Sequence, residues 1–181
     1  MLNLCLIPEI KTDICRLMGY EKWFFLESFS LTVRNETYSP AGTEFLKLKL
    51  TKDFDSCTPQ LLAVCGQGKT FDSLSIDVIE TSGSGISATY QPILRLRFGN
   101  LKVRNWSIDK SIETIEFDYL KVACMFSQGK FVDDTIETTY TDTSMMGWEC
   151  FDEKQDISSA GDEWDISDIS QLYTGADWNG K

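Results

Sequence analysis

Apolar side chains recur at every second position along most of this chain, which is the period of a β-strand with one buried face. Residues 2–7 form a short apolar strand stopped by Pro8. Residues 23–33 begin as a solid apolar run and then alternate, with Phe29, Leu31 and Val33 opposite Ser28, Ser30 and Thr32. After a polar loop that holds Pro40 and Gly42, Leu46, Leu48 and Leu50 share one parity. Leu74, Ile76 and Val78 do so within 71–79, then Ile86, Ala88 and Tyr90 before Pro92, and Leu94, Leu96 and Phe98 beyond it, opposite Arg95 and Arg97. Residues 101–108 and 111–126 continue the pattern, the latter with Ile115, Phe117 and Tyr119, then Leu120, Val122, Cys124 and Phe126.

One helix interrupts the strands. In the run from Cys57 to Gly66, Thr58 suits the N-cap and Pro59 the first helical turn, where its missing N–H costs nothing. Leu61, Leu62 and Cys65 supply a buried stripe, and Gly66 or Gly68 ends it. Two turns are not stable alone, so this helix must lie against the strands. Many short strands with turn signals between them and a single helix predict a mainly β fold. The expectation is an antiparallel β-barrel of two packed sheets with one short α-helix, because parallel strands would need helical crossovers.

At 181 residues the chain suits one domain. Character changes near residue 151: residues 151–181 hold eight acidic residues against two lysines, interrupted by glycines but sprinkled with Trp164, Ile166, Ile169, Leu172, Tyr173 and Trp178. This divides the chain into a domain at 1–150 and an acidic extension at 151–181. The formal charge is −11 and the basic residues alternate with apolar ones, as on the wet face of strands. Nucleic acid and anionic membrane are therefore poor partners, since their binding begins with phosphate neutralisation. No run of eighteen apolar residues occurs, and the N-terminal segment lacks the pattern of a signal peptide.

Candidate chemistry is sparse. Histidine is absent, which removes the usual general base of serine, cysteine and zinc mechanisms. Six cysteines carry no CxxC spacing and three of them sit in apolar runs, so free thiols are expected. Gly66-Gln67-Gly68-Lys69-Thr70 ends like a phosphate loop but follows a helix and lacks the loop before it. Adjacent carboxylates such as Asp133-Asp134 point to opposite faces of a strand. Asp162, Glu163, Asp165 and Asp168 lack the calcium-loop pattern. The chain is read as no enzyme, with no cofactor and no metal.

The segment from Phe45 to Lys69, FLKLKLTKDFDSCTPQLLAVCGQGK, resembles the signature of the Hcp family of type VI secretion systems. There a strand ends in Phe/Leu-Thr-Lys-x-x-Asp-x-x-Ser/Thr-Pro and runs into a short helix and a glycine turn. Here Leu50, Thr51, Lys52, Asp55, Thr58 and Pro59 match, with the helix to Cys65, Gly68, and Leu74 and Ile76 in the next strand. Residues 93–107, 112–126 and Gly147-Trp148 continue the likeness more loosely. The loop at 36–44 is shorter than the family's, and the tail beyond Trp148 is longer and more acidic.

The resemblance implies hexameric rings of β-barrel subunits, stacked into a tube through which effectors are carried and expelled. Partners would be further copies of the chain, sheath, spike and effector proteins. The site would be the bacterial cytoplasm, then the outside, without a cleaved signal peptide. Asn35, Tyr38, Pro40 and Gly42 would belong to a loop reaching the next ring. Leu61, Leu62 and Cys65 would anchor the helix, so that Leu62→Asp would bury a charge and unfold the subunit. Gln60, Gln67 and Lys69 would face the lumen. The alternatives are a non-polymerising adaptor with the same fold and an enzyme working through carboxylates alone, which needs two of them facing across a cleft.

Overall fold

A computed structural model describes residues 1–17, 19–35, 43–82, 89–127, 130–132, 135–137 and 143–149. Their strands are β1 (Leu2–Leu6), β2 (Phe24–Leu26), β3 (Ser28–Ser30), β4 (Val33–Asn35), β5 (Thr43–Phe45) and β6 (Leu48–Asp53). The helix α1 (Thr58–Gln67) comes next, followed by β7 (Thr70–Ser82), β8 (Thr89–Asp109), β9 (Ile112–Asp118) and β10 (Lys121–Ser127). The last strands are β11 (Lys130–Val132), β12 (Thr135–Glu137) and β13 (Thr143–Glu149).

Nine strands make one sheet in the order β2-β1-β7-β8-β9-β6-β3, with β10 pairing both β8 and β13. Two separate hairpins, β4–β5 and β11–β12, stand outside it, and every ladder among the described residues is antiparallel. The expectation of a barrel of two packed sheets is thereby corrected. Among the described residues no ladder joins the terminal strands β2 and β3, so the sheet they form is not closed. Nor is the main sheet divided into two, because residues 89–98 and 101–108, expected in separate strands, belong to the single strand β8.

The physical reason is a crease. On β8 the buried parity changes from Leu96 and Phe98 to Leu101 and Val103, across Gly99 and Asn100, and Asn100 has φ +52°. On β7 it changes between Phe71 and Leu74, and between β9 and β10 it changes from Phe117 and Tyr119 to Val122. The three changes lie at one level of the ladder, where Ser73 is opposite Gly99 and the Leu120 N–H bonds Gly99 O at 3.1 Å. In sequence, a parity change looks like the end of a strand. In the fold it bends a strand that continues.

Inward-facing positions line up across the ladders. Cys124, Leu96, Ile76, Cys5 and Phe24 form one row on one side of the crease. Phe29, Leu50, Ile115 and Trp106 form another beyond it. These rows and Leu61 of α1 make the main core. On β10 the expected apolar face is only partly kept: Val122 is buried, but Leu120 and Phe126 are exposed while Ala123 and Met125 are buried on the opposite face.

That opposite face is covered because residues between β1 and β2 fold over it. Cys15 and Trp23 pack on Leu4 and Ile79, with Leu17 and Tyr20 beside them. Beneath this cover lies Arg97, which the alternation places on a wet face but which is 6% exposed. Its Nη1 donates to Asp77 Oδ1 at 2.8 Å, and its guanidinium stacks 5.6 Å from the Trp23 ring. Tyr20 Oη donates to the other Asp77 oxygen at 3.0 Å. A charge on the outer parity is thus paired and roofed, not solvated. Lys47, Lys49, Lys102 and Arg104 do face solvent. Cys5, Cys15, Cys57, Cys65 and Cys124 are free thiols, and burial raises the pKa of Cys5, Cys15, Cys57 and Cys124; Cys150 lies outside the described residues.

Candidate functional site

The segment with the specific motif folds around one buried cation. Leu48, Leu50 and Lys52 share the inward parity of β6, so Lys52 enters the core, 1% exposed. Directly opposite on β9, Glu113 enters with Ile115 and Phe117, and it is 0% exposed. Lys52 Nζ lies 3.0 Å from Glu113 Oε2, 2.8 Å from Asp55 Oδ1 and 2.8 Å from Asp53 O. These three close acceptors, with Thr58 Oγ1 further off at 3.4 Å, satisfy the ammonium donors. Phe24 closes the site, its ring centroid 5.9 Å from Nζ.

The carboxylate is equally enclosed. Thr58 Oγ1 donates to Glu113 Oε2 at 2.7 Å and the Trp106 indole N–H donates to Oε1. Thr58 also accepts the Asp55 N–H at 3.2 Å, and Asp55 Oδ1 accepts the Cys57 N–H at 2.8 Å. Thr58 is therefore the first residue of α1 and its hydroxyl serves Glu113; the N-cap is Cys57, with no side-chain cap. Lys52, Asp55 and Thr58 tie the strand, the turn and the helix start to β9. Each is held by charge-assisted bonds in a dry site, where losing one partner strands another.

Beyond the cluster, α1 ends in a Schellman turn, as the left-handed glycine expected there requires. Gly68 has φ +62°, its N–H bonds Cys65 O at 3.1 Å, and the Lys69 N–H bonds Val64 O at 3.2 Å. Leu61 is fully buried and Cys65 half-buried, whereas Leu62 is 48% exposed. Val64 takes the place expected of Leu62, packing on the core. On a 3.6-residue turn, Leu61, Val64 and Cys65 form the inward stripe and Leu62 lies off it. The expectation that Leu62→Asp would bury a charge is overturned.

The remaining predicted residues scatter. Thr51 lies on the outer parity of β6, its hydroxyl 2.6 Å from Ser28 Oγ, and Pro59 is exposed. The Gln60 amide donates to Lys11 O at 2.8 Å and accepts the Lys11 N–H at 3.1 Å, clamping the segment after β1 onto the helix. Gln67 and Lys69 are exposed. Asn35 ends β4; Tyr38, Pro40 and Gly42 lie outside the described residues. Sequence reading missed Glu113 and Trp106. The signal was available for Glu113, a lone carboxylate on the parity of Ile115 and Phe117. Among the described residues no three acidic or thiol groups gather as a metal site.

The motif is thus a fastening for a helix. Comparison with known proteins places it. No curated protein matches the chain by sequence. Solved structures similar in fold include a type VI secretion system effector from Yersinia pestis, with TM-score 0.63 and 11% identity, covering 81% of this chain and 98% of that one. Hcp1 from Salmonella typhimurium gives TM-score 0.61 and 15% identity over 82% of this chain and 94% of its own. The secreted protein Hcp3 from Pseudomonas aeruginosa gives 0.59 and 15% over 83% and 99%. The family model described as type VI secretion system effector, Hcp, matches residues 14–126, from the segment before β2 to the end of the β10 core and across the whole Lys52 cluster. With more than half of its length matched, the chain belongs to the Hcp family of the type VI secretion system.

Proposed function

We propose that this protein is a structural subunit of a type VI secretion tube, assembling with copies of itself into hexameric rings that stack and carry effectors outward. The match of residues 14–126 to the Hcp family carries this reading. The fold is compatible with it: among the described residues β2, β3 and β13 each pair on one side only, leaving edges that a neighbouring copy can complete. On this reading the subunit is made in the bacterial cytoplasm and leaves without a cleaved leader. Sheath, spike and effector proteins are its partners.

The roles of individual residues follow the same proposal. Asn35, Tyr38, Pro40 and Gly42 contribute to contact between stacked rings. Gln67 and Lys69, exposed at the end of α1, meet cargo. Gln60 is a weaker cargo residue, because both ends of its amide are engaged by Lys11. Light scattering coupled to size exclusion tests the proposal: the mass of six subunits supports it, and a mass of one subunit at every concentration removes it.

A further inference from the structure

Between β1 and β2 the chain passes from the inner face of the sheet to the outer face and back. Ile7 and Ile10 are buried in the main core and Ile14 packs against it, and Phe24, the first residue of β2, returns there. Between these anchors the chain lies on the outer face, where Cys15 and Trp23 are buried on Leu4 and Ile79 with Leu17 and Tyr20 beside them. This cluster is separate and small: among the described residues it has four buried apolar side chains against twenty in the main core. Its backbone bonds close on the stretch itself. The Tyr20 N–H meets Leu17 O and the Trp23 N–H meets Tyr20 O, both at 2.9 Å, and the Gly19 N–H meets Glu21 Oε1 at 3.0 Å. Side chains hold it to the sheet.

That hold converges on Asp77 of β7, which is 1% exposed. Tyr20 Oη donates to Asp77 Oδ2 at 3.0 Å from the outer stretch. From the sheet, Arg97 Nη1 lies 2.8 Å from Oδ1 and Arg95 Nε 3.2 Å from Oδ2, and the Trp23 ring stands 5.6 Å from the Arg97 guanidinium. Arg16, Gly19, Glu21 and Lys22 are exposed. We infer that the described residues 15–17 and 19–23 form a flap that opens and recloses as one unit over an intact sheet, with Asp77 as its catch. A segment with little buried apolar surface and self-contained backbone bonds opens at a lower free energy than the core beneath it. Lifting the flap leaves Asp77 with both arginines on the sheet, so no buried charge is stranded. The open state uncovers Leu4, Ile79 and that ion pair, a strip the closed flap keeps from solvent and from any partner. The inference does not rest on ring formation.

The test is maleimide labelling of the full-length protein in native buffer, read by peptide mass spectrometry, with each rate normalised to that of the denatured chain. Cys15 reports on the flap, and Cys5, just as buried but in the main core, reports on the sheet. Cys15 should react at least about tenfold faster than Cys5. Its rate should hardly change with urea below the unfolding midpoint, whereas that of Cys5 should climb steeply, because exposing Cys5 opens far more surface. Leu61→Ala, in the main core, should speed Cys5 and leave Cys15 unchanged. Tyr20→Phe should speed Cys15 roughly tenfold. One shared rate and urea dependence for the two thiols, or equal acceleration of both by Leu61→Ala, would overturn the inference. A Cys15 rate indifferent to Tyr20→Phe would overturn the catch, and the urea series on the parent decides even where Leu61→Ala does not fold.

Discussion

Lys52 and Glu113 stand directly opposite each other in the β6–β9 ladder, both turned into the core, with Nζ 3.0 Å from Oε2. Neither charge reaches water, and each is completed by groups from the turn and the helix start. Their pairing explains why the motif needs Lys52, Asp55 and Thr58 at these spacings. The strand supplies the cation, the turn one carboxylate, and the helix a hydroxyl.

Lys52→Met leaves Glu113 buried without its counter-charge, and the variant should lose about 3–5 kcal/mol in urea denaturation. Lys52→Met with Glu113→Leu should recover much of that loss, because no charge is then stranded. A single variant within about 1 kcal/mol of wild type would show that the pair is not closed to water.

Leu61 and Leu62 are neighbours with opposite fates, and their variants should separate cleanly. Leu61→Ala, at a fully buried site, should cost about 2–5 kcal/mol. Leu62→Asp, on the exposed flank of α1, should stay within about 0.5 kcal/mol of the parent in the same assay. Equal losses would mean that α1 is rotated from the orientation described.

Much of this was legible in the residues. Period two located the strands, and Pro59 and Gly68 bracketed the helix. The failures share one origin: parity tells which residues share a face only while a strand stays straight. At the crease the inward set changes over on β7, on β8 and between β9 and β10, so β8 read as two strands and one sheet as two. Arg97 read as solvated because alternation cannot show that Tyr20 and Trp23 roof the outer face. The Lys52 site was half legible, since Lys52 shares the parity of Leu48 and Leu50, but its partner lies 61 residues away in sequence and only the ladder register brings it opposite.

The buried thiols and Tyr20 give the fold an alkaline limit. Burial, then the Asp77 carboxylate, raises the pKa of Tyr20, and burial raises Cys5, Cys15, Cys57 and Cys124. A group whose pKa is raised on folding favours the fold below its unfolded value and disfavours it above, because the unfolded chain then binds fewer protons. Stability should therefore be flat near neutrality and fall from roughly pH 8.5 upward, where unfolded thiols ionise, and further near pH 10 with tyrosine. Tyr20→Phe should flatten the upper part of that fall in a denaturation series. An unchanged slope would place Tyr20 outside the closed cluster.

Gly68 ends α1 at a positive φ with open space around it, so Gly68→Ala tests backbone strain alone. The expected loss is about 1 kcal/mol in thermal or urea unfolding. A gain in stability would contradict the left-handed turn.

The account stands most directly on electron microscopy of the purified full-length protein at high concentration. Six-fold rings with an open centre, some of them stacked, are the predicted result. Particles the size of one subunit throughout the field would contradict it.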